Sequence, residues 1–250
     1  MVCSTINETG QTLQNLLLIN RLERYTYLIL RNHGDSPKMT SMTHDANVND
    51  LDMFLKNINE PVILIGHSLG GTAAMEIAFK KPHLVKQLAL IDISPLGYPA
   101  NEETEVSYLI NQIRTVLNII NSTEEFCELN SVLEKYFQKY IKNVTLCKMI
   151  LSNVKKENDK FILNINLNSI EVDLCQKKKM KEVYPLRGSY QGKTLLIHGN
   201  SDYVSTSDYN YLRKQFPKMS IIRMKSGHWI HMEEPQELAE SIVEFLSRNS

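Results

Sequence analysis

Cysteine is scarce in this chain and never closely paired: Cys3, Cys127, Cys147 and Cys175 form no C-x-x-C. That scatter excludes a disulfide framework and a thiolate zinc site, and it fits a reducing compartment. An excess of charge of either sign is also missing, because 28 basic residues balance 28 acidic ones. Nothing global therefore pulls the chain toward nucleic acid or an anionic membrane. No apolar run reaches the length of a spanning helix, so no integral membrane segment is expected. The first 20 residues lack the compact apolar core of a signal peptide. With Glu8 and no arginine they also make a poor mitochondrial presequence. Internal repeats and low-complexity linkers are absent as well.

What the chain does have is 250 residues, 42% of them hydrophobic, enough for one buried core. Short apolar runs recur as strands: "YTYLIL" (25–30), "PVILIG" (61–66), "VKQLALIDIS" (85–94), "KTLLIHG" (193–199) and "SIIRMK" (220–225). Several are apolar on both faces, as strands of a parallel sheet are. Helices are expected between them at 43–58, with Thr43 or Asp45 as cap and Leu51, Phe54 and Leu55 on one face. Others are expected at 69–80, ending before Pro82, at 206–216, and at 235–247, opening at Pro235. This alternation predicts an α/β fold, a mostly parallel sheet with helices on both faces. Residues 98–185 break the rhythm with successive amphipathic segments, "FILNIN" (161–166) being a short exception. An insertion near the carboxyl ends of the strands is placed to act as a lid. The basic run "QKKKMKEV" (176–183) reads as a solvated helix face.

One corner of this pattern bears chemistry. Gly66-His67-Ser68-Leu69-Gly70 is a G-x-S-x-G that follows a hydrophobic strand and opens a helix. A serine on so sharp a strand-to-helix turn sits at strained backbone angles, with glycines allowing close packing around it. The helix N-terminus then favours negative charge developing beside the serine oxygen, with the Leu69 N–H as a donor. His67 lies inside the same elbow and is a second candidate for this oxyanion and substrate-binding surface.

A serine hydroxyl needs a base to become a nucleophile. "KSGHWIHMEEP" (225–235) offers His228, directly after the last strand, with His231 as a structural or pocket neighbour. The base needs a carboxylate to hold its tautomer. Asp202, in "HGNSDYV" (198–204), and Asp92, in "IDISP" (91–95), both follow strands. Chain order, Ser68 then Asp then His228, suits either and cannot separate the two.

Taken together, "RNHGDSP" (31–37), "GHSLGGTAAM" (66–75), "IDISP" (91–95), "FILNINLNSI" (161–170) and "SGHWIHMEEPQEL" (226–238) resemble the α/β-hydrolase superfamily. More closely they are similar to the abhydrolase domain-containing protein 11 group and its bacterial esterase relatives, from about residue 25 onward. The resemblance implies a serine hydrolase acting on small or lipid-like acyl esters or thioesters through an acyl-enzyme, with no cofactor and no metal. It implies a hydrolase core over 1–97 and 186–250, a helical lid over 98–185, and a mitochondrial location. The usual position of the acid in this fold favours Asp202 slightly, whereas bacterial relatives resemble the Asp92 choice. Some members are assigned an aspartate in the lid region, where this chain has Asn168. The family also places a strand and an H-G-x-x-G-like oxyanion loop upstream of "RNHGDSP", and residues 1–24 hold no such motif. The early strands are therefore expected to be missing, with "LQNLLLI" (13–19) recruited to that flank. A second reading follows: a hydrolase-like protein that binds acyl ligands or partners but turns them over weakly.

Overall fold

The computed structural model of this chain describes residues 2–4, 26–58, 60–99, 102–122, 135, 137–141, 144–174 and 183–247. Six strands form one parallel sheet: β1 (Val2–Ser4), β2 (Tyr27–Ile29), β3 (Val62–His67), β4 (Val85–Ile91), β7 (Lys193–His198) and β8 (Met219–Arg223), in the order β2-β1-β3-β4-β7-β8. Five of these coincide with the apolar runs. The sixth, β1, lies in the front segment where no strand was expected, and it pairs with β2 on one side and β3 on the other, Cys3 level with Gly66. Three residues are too short a stretch to show any alternation, which is why pattern reading passes over them. The "LQNLLLI" run and residues 176–182 lie outside the described residues.

The strands alternate strictly between two layers. Leu64, Leu88, Leu90 and Leu196 face one way, against α1 (His44–Lys56) and α2 (Leu69–Lys80), whose Leu51, Leu55, Ala74 and Ile77 are buried there. Ile65, Ala89, Ile91, Leu195 and Ile197 face the other, against Leu238, Ala239 and Ile242 of α8 (Pro235–Ser247). Burial on both faces is what the near-continuous apolar centres of β3, β4 and β7 require. Thr43 caps α1 by accepting the Ala46 N–H at 3.2 Å. Phe54, expected on the buried face, is only half-buried beside Leu51 and Leu55.

Between β4 and β7 the chain leaves the sheet and builds a separate apolar cluster. It comes from Ile113, Val116 and Ile120 of α3 (Glu102–Asn121), Cys147 and Ile150 of α4 (Val144–Leu151), and Phe161. The region is not purely helical, and the exception read at "FILNIN" (161–166) overlaps a strand. Strands β5 (Val154–Glu157) and β6 (Lys160–Leu163) make an antiparallel hairpin. Its two-residue turn, Asn158-Asp159, has both residues at positive φ, 47° and 60°, the backbone that matches the twist of the flanking strands. Asn121 extends this sheet by accepting the Phe161 N–H at 2.7 Å and donating to its carbonyl at 2.8 Å.

The insertion is stitched to the loop after β2. Met42 N–H donates to Asp173 Oδ2 (2.6 Å) on α5 (Leu167–Leu174), Ser169 Oγ to Met39 O (2.7 Å), and Asn166 N–H to Asn32 O (2.9 Å). The "RNHGDSP" and "NINLNSI" segments, read separately in the sequence, are thus two sides of one polar seam.

The corner from β3 into α2 leaves no room for a side chain at Gly66. A Cβ there would lie 2.6 Å from Gly70 O and 2.7 Å from Gly71 Cα, both backbone atoms with no means of swinging aside. Gly66→Ala is therefore expected to cost about 2–3 kcal/mol in urea-unfolding measurements, the scale of an overpacked core.

Candidate active site

Ser68 is the first residue past β3, and its backbone is held at φ 49°, ψ −119°, a conformation worth roughly 1–3 kcal/mol of strain. The surrounding hydrogen bonds impose it: Ser68 N–H donates to Ile91 O at 3.2 Å, and Thr72 N–H to Ser68 O at 3.0 Å. Its hydroxyl makes no cap to its own helix and stays available. Leu69 opens α2, so its N–H lies ahead of the first intrahelical bond, where orphan donors and the helix dipole both favour an anion.

One strand over, Asp92 is the first residue past β4 and also sits at φ 49°. The pairing of His67 with Ile91 puts Ser68 and Asp92 at the same level of the sheet. The Asp92 side chain has no solvent exposure, and three donors meet it. Gly199 N–H donates to Oδ1 at 2.9 Å, while Ser201 Oγ and His228 Nδ1, the latter at 2.8 Å, donate to Oδ2. Gly199 makes this possible, since a Cβ there would lie 2.4 Å from Gly227 O. The loops after β7 and β8 therefore touch, with Asn200 N–H on Ser226 O at 2.7 Å. With Nδ1–H given to Asp92, the other ring nitrogen of His228, Nε2, is the one left to accept a proton.

The structure thus pairs His228 with Asp92 and not with Asp202, which the usual position of the acid in this fold favoured slightly. Asp202 is exposed and has no bond to His228 among the described residues. Both aspartates follow strands, and chain order alone could not show which carboxylate points inward. Asn168 is on the exposed side of α5, where Arg114 donates to its side-chain oxygen at 2.6 Å.

His67, expected beside the oxyanion, has a different task. Its ring is buried, and Nε2–H donates to the His228 carbonyl at 2.9 Å, which fixes its tautomer because a carbonyl can only accept. It lies 4.6 Å from the His228 ring and 4.7 Å from the His231 ring. Burial, with smaller contributions from the two neighbouring histidines, holds His67 well below the ordinary imidazole range, so it offers no positive charge. Burial also lowers His231 to about 4, with His228 adding to the effect. Residues that sequence reading did not single out complete the site. Ser201 sits one position before Asp202, and Tyr203 stacks on His228 with centroids 3.8 Å apart at 12°. Both lie in the "HGNSDYV" segment already marked for its aspartate. Among the described residues, no group of three His, Cys, Asp or Glu side chains is arranged to hold a metal ion.

Comparison with known proteins adds three findings. Residues 22–235 match the family model described as the alpha/beta hydrolase fold. The sn-1-specific diacylglycerol lipase ABHD11 of Mus musculus is 30% identical over 220 residues, covering 87% of this chain and 69% of that protein. The Danio rerio protein of the same name is 31% identical over 235 residues, covering 92% and 71%. Among solved structures, a marine microorganism esterase superposes with a TM-score of 0.80 at 26% identity, covering 98% of this chain and 94% of the other.

The buried rings make stability sensitive to acid. An unfolded histidine titrates near 6.5, whereas folded His231 does so at about 4, so unfolding takes up a proton between those values. Stability is complete above the upper value and falls as pH drops through the window. At pH 5 this one group costs about 2 kcal/mol. The thermal midpoint should fall between pH 7 and pH 5, and His231→Phe, which keeps a ring but cannot titrate, should flatten the decline.

Proposed function

Because the chain belongs to the α/β-hydrolase family, in the abhydrolase domain-containing protein 11 group, we propose that it cleaves carboxylic esters or thioesters of small or lipid-like acyl groups, with Ser68 as nucleophile, His228 as general base and Asp92 as the carboxylate that orients it. The observation that supports this most is the 2.8 Å bond from His228 Nδ1 to a buried Asp92, one strand away from a serine on a strained corner. In this reading Ser68 Oγ attacks the acyl carbon and its proton passes to His228 Nε2. The tetrahedral oxyanion is met by the Leu69 N–H at the start of α2. Collapse expels the alcohol or thiol, which takes the proton from His228, and leaves Ser68 acylated. Water, deprotonated by His228, then releases the acid and restores the serine. Ser201 and Gly199 hold the Asp92 carboxylate in place by supplying its remaining hydrogen bonds.

The insertion over 98–185 belongs to the proposal as the lid, between core segments 1–97 and 186–250. Its support is an apolar cluster of its own and the seam that holds it to residues 32–42. The diacylglycerol lipase name of the ABHD11 relatives puts an acylglycerol forward as the substrate class to assay first. A mitochondrial location rests on the resemblance to the same group.

A fluorophosphonate should label Ser68, read by mass spectrometry of the modified peptide, and Ser68→Ala should remove both label and ester turnover. A folded protein that stays unlabelled would instead support the acyl-binding reading with little turnover. Asp92→Asn should lower kcat by on the order of a hundredfold or more, because the imidazole loses its orientation and its counter-charge. Asp202→Asn should stay within about threefold of wild type, the scale of an exposed surface change. A larger loss for Asp202→Asn would return the acid to the loop after β7.

A further inference from the structure

We propose that Tyr203 is a positioning residue for His228, and that its ring face stabilises the imidazolium formed while His228 holds the serine proton. The inference rests on His228 being the base, as assigned above. Its basis is the stacking geometry. The two rings lie nearly parallel, 12° apart, with centroids at 3.8 Å, so they overlap face on face. Nearly parallel rings at this separation form a stack that neutral rings also adopt when offset. A cation over an aromatic face is attracted. The other large aromatic touching His228 is arranged as neutral pairs are, Trp229 meeting it at 69° with centroids 5.2 Å apart. Tyr203 is thus the neighbour that presents its ring face to His228, and that contact strengthens when the imidazole gains a proton.

Tyr203 is also referenced to the same anchor as the base. Ser201 Oγ donates to Asp92 Oδ2 and accepts the Tyr203 N–H at 3.3 Å, while His228 Nδ1 donates to that same Oδ2. One carboxylate oxygen therefore sets both rings. Edge-on contact with Tyr98, at 6.1 Å and 81°, supports Tyr203 from its side. The charged and titratable groups packed around His228 come from several elements. Asp92 comes from the end of β4, His67 from the elbow, and His231 and Glu233 from α7 (Ile230–Glu233), Glu233 accepting the Gly227 N–H at 2.7 Å. Asp202, next to Tyr203, is exposed.

The test compares Tyr203→Leu, Tyr203→Met and Tyr203→Phe in the full chain, with a short-chain p-nitrophenyl ester as probe and thermal melts as the check on folding. Leu and Met remove the π face, and whichever melts as the wild type does serves for kinetics. Either should lower kcat about threefold with KM nearly unchanged, and should move the acid limb of the kcat/KM profile down by about half a pH unit, the size of one partly exposed cation–π contact. Tyr203→Phe keeps the face and should restore both quantities. A folded Leu or Met variant with wild-type kcat and an unmoved acid limb overturns the proposal. So does a Phe variant as impaired as Leu, since the hydroxyl would then be responsible. Ser68→Ala, run in parallel, separates the two layers of the argument. If it abolishes turnover while the Leu variant is unaffected, the stacking role alone fails. If it leaves turnover intact, the reading of the site fails and the stacking role falls with it.

Discussion

A carboxylate with no exposure to water must have its charge answered by the chain, and the arrangement at Asp92 follows from that demand. Stranding an ion in the interior costs several kcal/mol unless hydrogen bonds replace its hydration. Here the replacements arrive from Gly199 and Ser201 after β7 and from His228 after β8. Loops from three neighbouring strands are drawn to one point, and the imidazole is oriented as part of satisfying the charge. Gly199 is the geometric concession that lets two of those loops approach. The site is in this sense a solution to a burial problem, and the chemistry uses the solution.

The surrounding fold protects that solution. The two helical layers seal the sheet on both faces, so the carboxyl ends of the strands are where polar groups can gather. The three aromatic neighbours of His228, namely His67, Trp229 and Tyr203, restrict its ring from separate directions. Burial keeps His67 and His231 neutral, so the densest cluster of histidines in the molecule holds little positive charge near the base.

Much of this was readable from the residues in order. Apolar runs named five strands, most plainly β3, β4 and β7, whose central residues are buried on both faces, and the glycines of the elbow marked Ser68 because the corner has no space for Cβ atoms. The helix bounds at α1, α2 and α8 followed from Thr43, Pro82 and Pro235. The choice between Asp92 and Asp202 was not readable, since it depends on which way a strand-end side chain turns, and both stood in equivalent local sequence. β1 escaped notice because three residues display no period. The β5–β6 hairpin was hidden among helical segments, although Asn158-Asp159 is a turn signal of the right kind. Tyr203 was invisible for a different reason. An aromatic beside a strand end reads as core, and only the angle between rings reveals another use.

Ser68 and Asp92 leave adjacent strands at the same level, each as the first residue past its strand and each at the same φ. Neighbouring parallel strands are held about 4.8 Å apart by their hydrogen bonds, whatever side chains they bear. The offset between the strand ending at Ser68 and the strand ending at Asp92 is thus a property of the backbone lattice, indifferent to the insertion between β4 and β7. On the proposed reading of the insertion as a lid, changes in it reshape what is admitted while the spacing of Ser68 and Asp92 stays constant. Selectivity and reactivity would then belong to separate parts of the chain, and one could drift while the other stands still.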